Sequence, residues 1–288
     1  MTAPLLVVDT PSMLYRAFYA LPKTITGADD HPINALLGTA NLVLREIERH
    51  LPRAVVLCFG PDAAHYRVEL YAGYHAERPE MPPELGPQFA ASRDLFARFG
   101  WQIAEHETLE ADDLLGSFAE AETAAGGRTL IMTGDRDLFQ CATDDVTVLY
   151  VSTGKQGGEE VGPDEVRKRY GIPPELVPDF IALRGDPSDG LPGAKGVGEK
   201  TAADLLRRHG SLDDVIEGAL REGTPKLRGT LRDSREELFA FREIARLQDA
   251  GVERPPDGAT DWASAAGAAR EYGMGRLAER LEKVTPAS

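Results

Sequence analysis

The stretch GDPSDGLPGAKGVGEKTAADLL (185–206) joins two features that treat phosphate in opposite ways. Asp186 and Asp189 come first, and a glycine-rich run with two lysines follows directly. Bare carboxylates repel phosphate, whereas glycine backbone and the N–H groups at a helix start attract it. The stretch predicts two metal-binding aspartates followed by a helical hairpin that holds a phosphate backbone without reading its sequence.

Two other interpretations of the glycine-rich run are open. A P-loop needs Gly, four residues and then Gly-Lys-Ser/Thr, but Glu199 separates Gly198 from Lys200 and no strand precedes the run, which argues against ATP binding. A plain packing unit of two helices and a turn would need no ligand at all. In the hairpin interpretation, the residues that contact phosphate are Lys195, Gly196, Gly198, Lys200 and Thr201.

The composition is that of an ordinary globular protein. The chain has 288 residues, of which 42% are apolar and 27% charged, and it contains no apolar run long enough to span a membrane. The N-terminal segment MTAPLLVVDT lacks the basic region of a signal peptide, so we expect it to begin the fold. The two cysteines stand in no metal-type spacing and favour a reducing cytoplasm.

The net charge of −15 argues against a protein that coats nucleic acid non-specifically. Residues 184–242 contain eleven basic and eleven acidic residues, so this segment is neutral and the rest of the chain carries the negative charge. The uneven distribution indicates that acidic residues are concentrated for a purpose.

Short apolar runs alternate with helical patterns over the first half of the chain. Because buried strands alternate with helices in this way, we expect an α/β fold with a central, mostly parallel sheet. Beyond about residue 160 the patterns are helical, and Glu159 and Glu160 are interpreted as a solvated turn. The predicted strands are 5–8, 53–59, 101–106, 128–135 and 146–152.

Acidic residues follow these strands. Asp9 ends the first, Asp135 and Asp137 follow RTLIM (128–132), and LEADDLL (109–115) opens a helix after 101–106. Because ligands bind at the carboxyl ends of parallel strands, these side chains are expected to converge. Together with the two aspartates of the opening stretch, the candidate metal ligands are Asp9, Glu110, Asp112, Asp113, Asp135, Asp137, Asp186 and Asp189.

A single acid of this set has an ordinary structural explanation. Glu110 suits the first turn of a helix, and Asp135 suits an N-cap. Converging carboxylates need a further explanation, because two like unit charges 4 Å apart repel each other by roughly 4 kcal/mol at an effective dielectric constant near 20. Hard oxygen ligands without a Cys or His cluster suit Mg²⁺ or Mn²⁺, and two such ions support phosphodiester hydrolysis.

At this point the chain resembles the bacterial 5′-3′ exonuclease and flap endonuclease family, including the 5′-nuclease domain of bacterial DNA polymerase I. The resemblance covers roughly residues 4–250 in the order of the family. It implies a PIN-like α/β nuclease domain over 1–160 with an arch at about 61–100. It also implies a helical region over 161–288, with a helix-three-turn-helix at about 180–220 and no polymerase domain following. The matching pieces are VVDTPSMLYRAFYALP (7–22), YRVELYAGYHAERP (66–79), LEADDLLGSFA (109–119), TGDRDLFQ (133–140) and the opening stretch.

The resemblance also implies roles for individual residues. Arg16, His75 and Arg78 would steer phosphate or the charge of the transition state, and Arg67 and Tyr74 would contact DNA at the base of the arch. The first ion would be held by Glu110, Asp112 and Asp135, and the second by Asp137, Asp186 and Asp189. Asp9 and Asp113 would support them from outside, and a K⁺ ion is expected at the hairpin.

Two positions depart from the family. Gly60 stands where the family usually has an aspartate, with Asp62 the nearest acid, and His75 stands where it usually has a lysine. Both changes put metal binding and phosphate steering in doubt. We therefore carry a second hypothesis, a catalytically weakened DNA-junction binder, in which Gly60→Asp and His75→Lys would restore activity.

The expected activity is hydrolysis of DNA at 5′ flaps, nicks and 5′ ends in replication and repair, without ATP or a membrane partner. Such an enzyme is expected in the cytoplasm, associated with the nucleoid. An RNA-cutting nuclease on a related sheet is a third hypothesis, which the duplex-gripping hairpin disfavours.

Overall fold

The computed structural model describes residues 3–152, 157–222 and 224–284. The last four residues of the predicted helical region lie outside these ranges. A six-stranded sheet in the order β3-β2-β1-β4-β5-β6 forms the centre, and all its neighbouring strands are parallel except β5 and β6. This confirms the predicted α/β fold. The strands are β1 Leu5–Asp9, β2 Ala54–Phe59, β3 Gln102–Glu105, β4 Thr129–Thr133, β5 Val146–Tyr150 and β6 Glu159–Val161.

The sixth strand corrects the interpretation of Glu159 and Glu160 as a solvated turn. Both residues belong to β6, which pairs with β5 in antiparallel register, with Tyr150 opposite Glu159. Three residues with two glutamates carry little β propensity, so the backbone pairing with β5 decides this strand.

Five helices accompany the parallel strands. Side chains of β1 alternate between the faces of the sheet, so Leu5 and Val7 join one apolar cluster and Leu6 and Val8 the other. The first cluster contains residues of α5, and the second contains residues of α1, α2 and α4. These helices are α1 Thr10–Ala20, α2 Asn34–His50, α3 His65–Leu70, α4 Gly86–Ala97 and α5 Ala111–Ala124.

The second half of the described chain is helical, as predicted. Most of these helices extend the cluster on the α5 side, whereas α12 and α13 return to the opposite face, where they pack with α2 and α4. The predicted boundary near residue 160 stays a prediction. The helices are α6 Pro163–Tyr170, α7 Val177–Arg184, α8 Glu199–His209, α9 Leu212–Glu222, α10 Pro225–Asp233, α11 Arg235–Ala245, α12 Trp262–Glu271 and α13 Gly275–Leu281.

The sheet has a topological switch point between β1 and β4. From β1 the chain order runs outward through β2 to β3 on one side and through β4 to β5 on the other. A crevice forms at such a point beyond the carboxyl ends of the strands. Asp9 at the end of β1 and Asp135 just after β4 therefore face a common space. No helix in the described ranges is long and apolar enough to cross a membrane.

Candidate active site

A cavity of about 1320 Å³ opens at this switch point. Strand ends, α1, the segment 60–62 and the turn after α7 all contribute to its wall. Of the eight predicted metal ligands, Asp113 and Asp137 do not line it. The predicted site residues in the wall are Asp9, Arg16, Tyr74, His75, Arg78, Glu110, Asp112, Asp135, Asp186 and Asp189.

Two of the eight predicted metal ligands have side-chain carboxylates without a hydrogen-bond or ion-pair partner among the described residues. They belong to Asp112, in the first turn of α5, and to Asp137, which is only 8% exposed. Burial raises the pKa of both groups well above the usual range, and the charges of neighbouring carboxylates, including Asp135, raise it further. A cation would relieve this repulsion.

Asp9 and Asp135 are anchored through their own local turns. Asp9 caps α1, because Oδ1 accepts the N–H of Ser12 at 3.0 Å, and Oδ2 accepts the hydroxyl of Thr133 at 2.8 Å. Asp135 Oδ1 accepts the N–H of Asp137 at 2.9 Å. Burial, the negative charge of Asp189 and that of Asp9 raise the pKa of Asp135 to about 7. Each aspartate therefore keeps oxygen lone pairs free beside like-charged neighbours.

Glu110 and Asp113 are satisfied by the protein itself. Their capping box closes the start of α5, with Asp113 Oδ2 accepting the N–H of Glu110 at 3.0 Å. Arg67 lies between the two carboxylates, with 2.9 Å to Glu110 Oε2 and 2.8 Å to Asp113 Oδ1. Glu110 Oε1 also accepts the N–H of Ala64 at 2.6 Å, and Asp113 Oδ1 accepts the N–H of Gln248 at 2.9 Å. A metal ion at Glu110 would have to replace one of these partners.

Arg67 and Tyr74, both expected to contact DNA, are buried, and of the two only Tyr74 lines the cavity. Arg67 is 3% exposed, and its Nε donates to the carbonyl of Ile244 in α11 at 2.9 Å. Tyr74 is 5% exposed, and its hydroxyl donates to Glu110 at 2.9 Å. A buried carboxylate such as that of Glu110 is stable only beside a cation and a hydrogen-bond donor. Arg67 supplies the cation and Tyr74 the donor, so both side chains point inward and hold α5 in place.

Gly60 brings the end of β2 against the segment before α5. A Cβ atom at Gly60 would lie 2.5 Å from the carbonyl oxygen of Leu109 and 2.8 Å from the nitrogen of Ala111. No side chain fits without moving that backbone, so Gly60→Asp is not the simple restoration that the second hypothesis assumed. Asp62 lines the cavity, but its carboxylate is 68% exposed and pairs with Arg78 at 2.9 Å.

His75 connects three parts of the site. Its N–H donates to the carbonyl of Asp189 at 3.0 Å, its Nε2 lies 3.1 Å from Asp189 Oδ1, and its Nδ1 lies 2.7 Å from the carbonyl oxygen of Asp62. Both ring nitrogens of His75 therefore face oxygen atoms of neighbouring segments. The residue has φ of +54°, and its ring stacks on Tyr74 with 3.9 Å between centroids. His75 is therefore fixed against Asp189, which a flexible lysine would not be.

Two arginines supply positive charge next to the carboxylates. Arg16 Nη2 donates to the carbonyl of Gly134 at 2.7 Å, while its Nε is buried without a hydrogen-bond partner in the described part of the chain. Arg78 is 38% exposed and reaches to 4.0 Å from Asp189 Oδ1. Both lie in the cavity wall, as expected for residues that meet phosphate.

Two further arginines, which the sequence did not single out, lie in the wall. Arg136 stands between Asp135 and Asp137, and its Nε donates to the hydroxyl of Tyr150 at 3.2 Å. Arg184 ends α7, and its Nη2 lies 3.0 Å from Asp186 Oδ2. In the sequence, the only signal for a role of these two arginines is that they stand close to aspartates of the predicted motifs.

The glycine-rich stretch forms the expected hairpin between α7 and α8. Gly196 has φ of +82°, a conformation that favours glycine, and a Cβ atom at Gly196 or at Gly198 would meet nothing within 4 Å. The backbone is thus open to a ligand on this side. The five predicted contact residues are all exposed: Lys195, Gly196, Gly198, Lys200 and Thr201.

The donor set fits a hard divalent ion. Within the described ranges, no three acidic, histidine or cysteine side chains already form a compact metal cage. The carboxylates border a wide cavity instead, and Mg²⁺ keeps several waters and takes one or two protein carboxylates. The unpartnered carboxylates of Asp112 and Asp137 suit such an ion, whereas zinc prefers nitrogen and sulfur ligands.

The sequence matches two family models. Residues 4–171 match "5'-3' exonuclease, N-terminal resolvase-like domain", and residues 172–257 match "5'-3' exonuclease, C-terminal SAM fold". The chain belongs to the 5′-3′ exonuclease family. This confirms the resemblance seen in the sequence motifs.

Two curated relatives represent the family in bacteria. The 5′-3′ exonuclease of Mycobacterium tuberculosis is 38% identical over 249 residues, which is 80% of this chain and 78% of that protein. DNA polymerase I of Bacillus caldotenax is 35% identical over 254 residues, covering 88% of this chain but only 29% of the polymerase. The similarity to the polymerase is therefore confined to a small part of its length.

Solved structures share the fold of this 5′-3′ exonuclease family member at low identity. The T5 5′-exonuclease with divalent zinc ions has a TM-score of 0.69 and 17% identity, with 97% of both chains covered. The catalytic core of Rad2 in complex with DNA substrate has a TM-score of 0.61 and 15% identity, covering 98% of this chain and 90% of that one.

Proposed function

We propose that the protein is a structure-specific 5′-nuclease that hydrolyses DNA phosphodiesters at 5′ flaps, nicks and 5′ ends, in replication and repair. The observation that carries the proposal is the pair of carboxylates without a partner among the described residues, Asp112 and Asp137; Asp112 lies in the wall of a cavity that basic side chains also line. Carboxylates that lack a cation, next to groups that attract phosphate, suit metal-assisted phosphodiester hydrolysis.

The divalent ions proposed are Mg²⁺ or Mn²⁺. When bound, they would activate a water molecule and stabilise the leaving oxygen. Asp112, Asp135 and Asp137 would hold the ions most directly, because these carboxylates keep free lone pairs. Glu110 is proposed as a ligand only after it exchanges one of its internal partners, and Asp113 supports α5 through Arg67.

The remaining residues would bind and orient the substrate. Arg16 has a buried Nε without a partner, which suits a phosphate oxygen, and Arg78 lies on the exposed side of the same wall. His75 would hold Asp189 in place and meet phosphate from its fixed position. The exposed hairpin would bind the duplex backbone, with K⁺ as the proposed ion there, at a fixed distance from the site of cleavage.

The proposal is tested by product-length analysis on matched 5′-flap, nicked and blunt DNA with Mg²⁺ or Mn²⁺. We expect cleavage near the flap junction, loss of cleavage with a chelator, and at least about a hundredfold lower rate for Asp112→Asn. Glu120→Gln, which neutralises an exposed acid of the same helix, is the matched control and should cleave normally.

Absence of cleavage by a folded sample with either metal would refute the nuclease proposal. Tight and specific flap binding in that same sample would instead favour the catalytically weakened junction binder. The internal satisfaction of Glu110 and the absence of a carboxylate at Gly60 are the observations behind that second candidate. A protein of either kind would act at the nucleoid, in the cytoplasm.

A further inference from the structure

Arg184 brings a guanidinium into the wall of the cavity, directly against a predicted metal ligand. Its Nη2 lies 3.0 Å from Oδ2 of Asp186. The Arg184 side chain is 19% exposed and the Asp186 side chain 12%, so water screens the pair only weakly. The attraction is therefore stronger than that of an ordinary surface ion pair.

Two further contacts hold Arg184 in this position. Its Nε donates to the carbonyl of Gly185 at 2.9 Å, and its guanidinium lies 5.2 Å from the ring centroid of Phe180, a fully buried residue of α7. The planar guanidinium of Arg184 stacks on an aromatic ring and donates hydrogen bonds from two of its edges. Its pairing with Asp186 therefore costs little further conformational entropy. The pairing with Asp186 is thus pre-organised.

The turn that carries Asp186 is also fixed. Asp186 and Leu191 exchange two backbone hydrogen bonds of 2.8 Å, and Gly185 opens the turn with φ of +84°. Oδ1 of Asp186 accepts both the N–H and the hydroxyl of Ser188. Both oxygens of Asp186 therefore have protein partners, whereas the carboxylate of Asp112 has none among the described residues.

We propose that Arg184 is a positioning residue that competes with a divalent ion for the carboxylate of Asp186 and so weakens metal binding at this corner of the site; the inference rests on the proposed function. The guanidinium neutralises the charge that would attract the ion, and it repels the ion directly. Once displaced from Asp186, Arg184 is a cation on the cavity wall that suits a phosphate oxygen. The ion at this corner then binds firmly only together with the substrate.

The test is Mn²⁺ binding to the metal-free protein without DNA, measured by electron paramagnetic resonance and calorimetry. For Arg184→Gln we expect the more weakly bound Mn²⁺ to bind at least about fivefold more tightly than in the wild type. Arg184→Lys keeps the charge, so its affinity should stay within about twofold of wild type. Arg98→Gln is the matched control, because it removes the same charge and breaks an ion pair, with Glu271 at 2.6 Å, outside the cavity lining, and it should also stay within about twofold.

Unchanged or weaker Mn²⁺ binding by Arg184→Gln would overturn the inference, and so would equal tightening by the lysine variant or by the Arg98 control. Arg184→Met, which preserves the packing on Phe180, carries the same expectation if the glutamine variant does not fold. The metal measurement needs no cleavage, so it can fail while the wild type still cuts flaps. Conversely, wild-type protein that cuts no flap would refute the proposed function, and the Mn²⁺ affinities of the variants could still be compared.

Discussion

Replacing Gly60 by alanine is expected to damage the protein, although alanine adds only one methyl group. The added carbon would lie 2.5 Å from the carbonyl oxygen of Leu109, and ordinary contact begins at 3.4 Å, so the backbone has to yield by 0.9 Å (3.4 Å minus 2.5 Å). The next two close atoms belong to Glu110 and Ala111, which are also backbone. Relief by rotation of a flexible side chain is therefore not available.

The displaced segment carries Glu110, whose carboxylate depends on short contacts to Ala64 and Tyr74. Overpacking of this kind costs typically about 1–3 kcal/mol of stability. A displacement near 1 Å at a catalytic site lowers the rate by up to about a hundredfold. We expect both effects in Gly60→Ala, and Gly60→Asp should be at least as unstable, since its side chain is larger.

The free energy of unfolding is measured by urea denaturation, and the single-turnover rate is measured on a 5′-flap duplex at saturating Mg²⁺. Gly267→Ala is the matched control, because Gly267 lies on the exposed side of α12 and an added Cβ meets nothing within 4 Å. This control should stabilise the protein by about 0.5–1 kcal/mol and leave the rate unchanged. A Gly60→Ala protein with wild-type stability and rate, or a faster Gly60→Asp protein, would refute the steric argument.

Three further predictions follow from the ion pairs and the hairpin. Arg67→Met leaves two buried carboxylates without their cation, so urea denaturation should show a loss of about 3–5 kcal/mol; a loss below 1 kcal/mol would contradict the pairing. Burial alone would raise the pKa of the Glu122 carboxyl, but two arginines lower this pKa overall. The free energy that the carboxylate contributes to folding is therefore fully present above its pKa in the unfolded chain. It is lost as the pH falls through its pKa in the folded protein. Glu122→Gln should remove that part of the acid dependence in urea titrations between about pH 6 and 3, and an unchanged pH profile would exclude it. Lys195→Ala and Lys200→Ala should each weaken duplex binding and reduce by about one the slope of log affinity against log salt concentration. An unchanged slope in filter-binding assays would contradict the phosphate contacts proposed for the hairpin.

Local patterns in the sequence were sufficient for the overall architecture. The five apolar runs became the five parallel strands, since a run of β-branched residues between helical patterns has few other stable places in an α/β protein. Four of the six acids after those runs line one cavity, because the carboxyl ends of parallel strands share an edge, whereas Asp113 and Asp137 do not line it. The strand β6 was missed, since its sequence lacks that signal and the pairing with β5 alone defines it.

The state of each carboxylate was decided only by the tertiary structure. Arg67, Glu110 and Asp113 meet although more than forty residues separate the arginine from the acids, and this pairing turns a predicted DNA contact into an internal counter-ion. The spacing of the motifs in the sequence does not predict which carboxylate forms an ion pair or a hydrogen bond. That depends on which side chains the fold brings within a few ångströms.

The sequence by itself determined the fold class, the family and the residue types gathered at the sheet edge, because these depend on local periodicity and on motifs of fixed spacing. Only the tertiary structure decided that the carboxylates of Asp112 and Asp137 have no partner in the described part of the chain, that Gly60 admits no side chain and that Arg184 lies against Asp186. Charge compensation and steric exclusion act over short distances between segments far apart in the chain, so they exist only once the chain has folded.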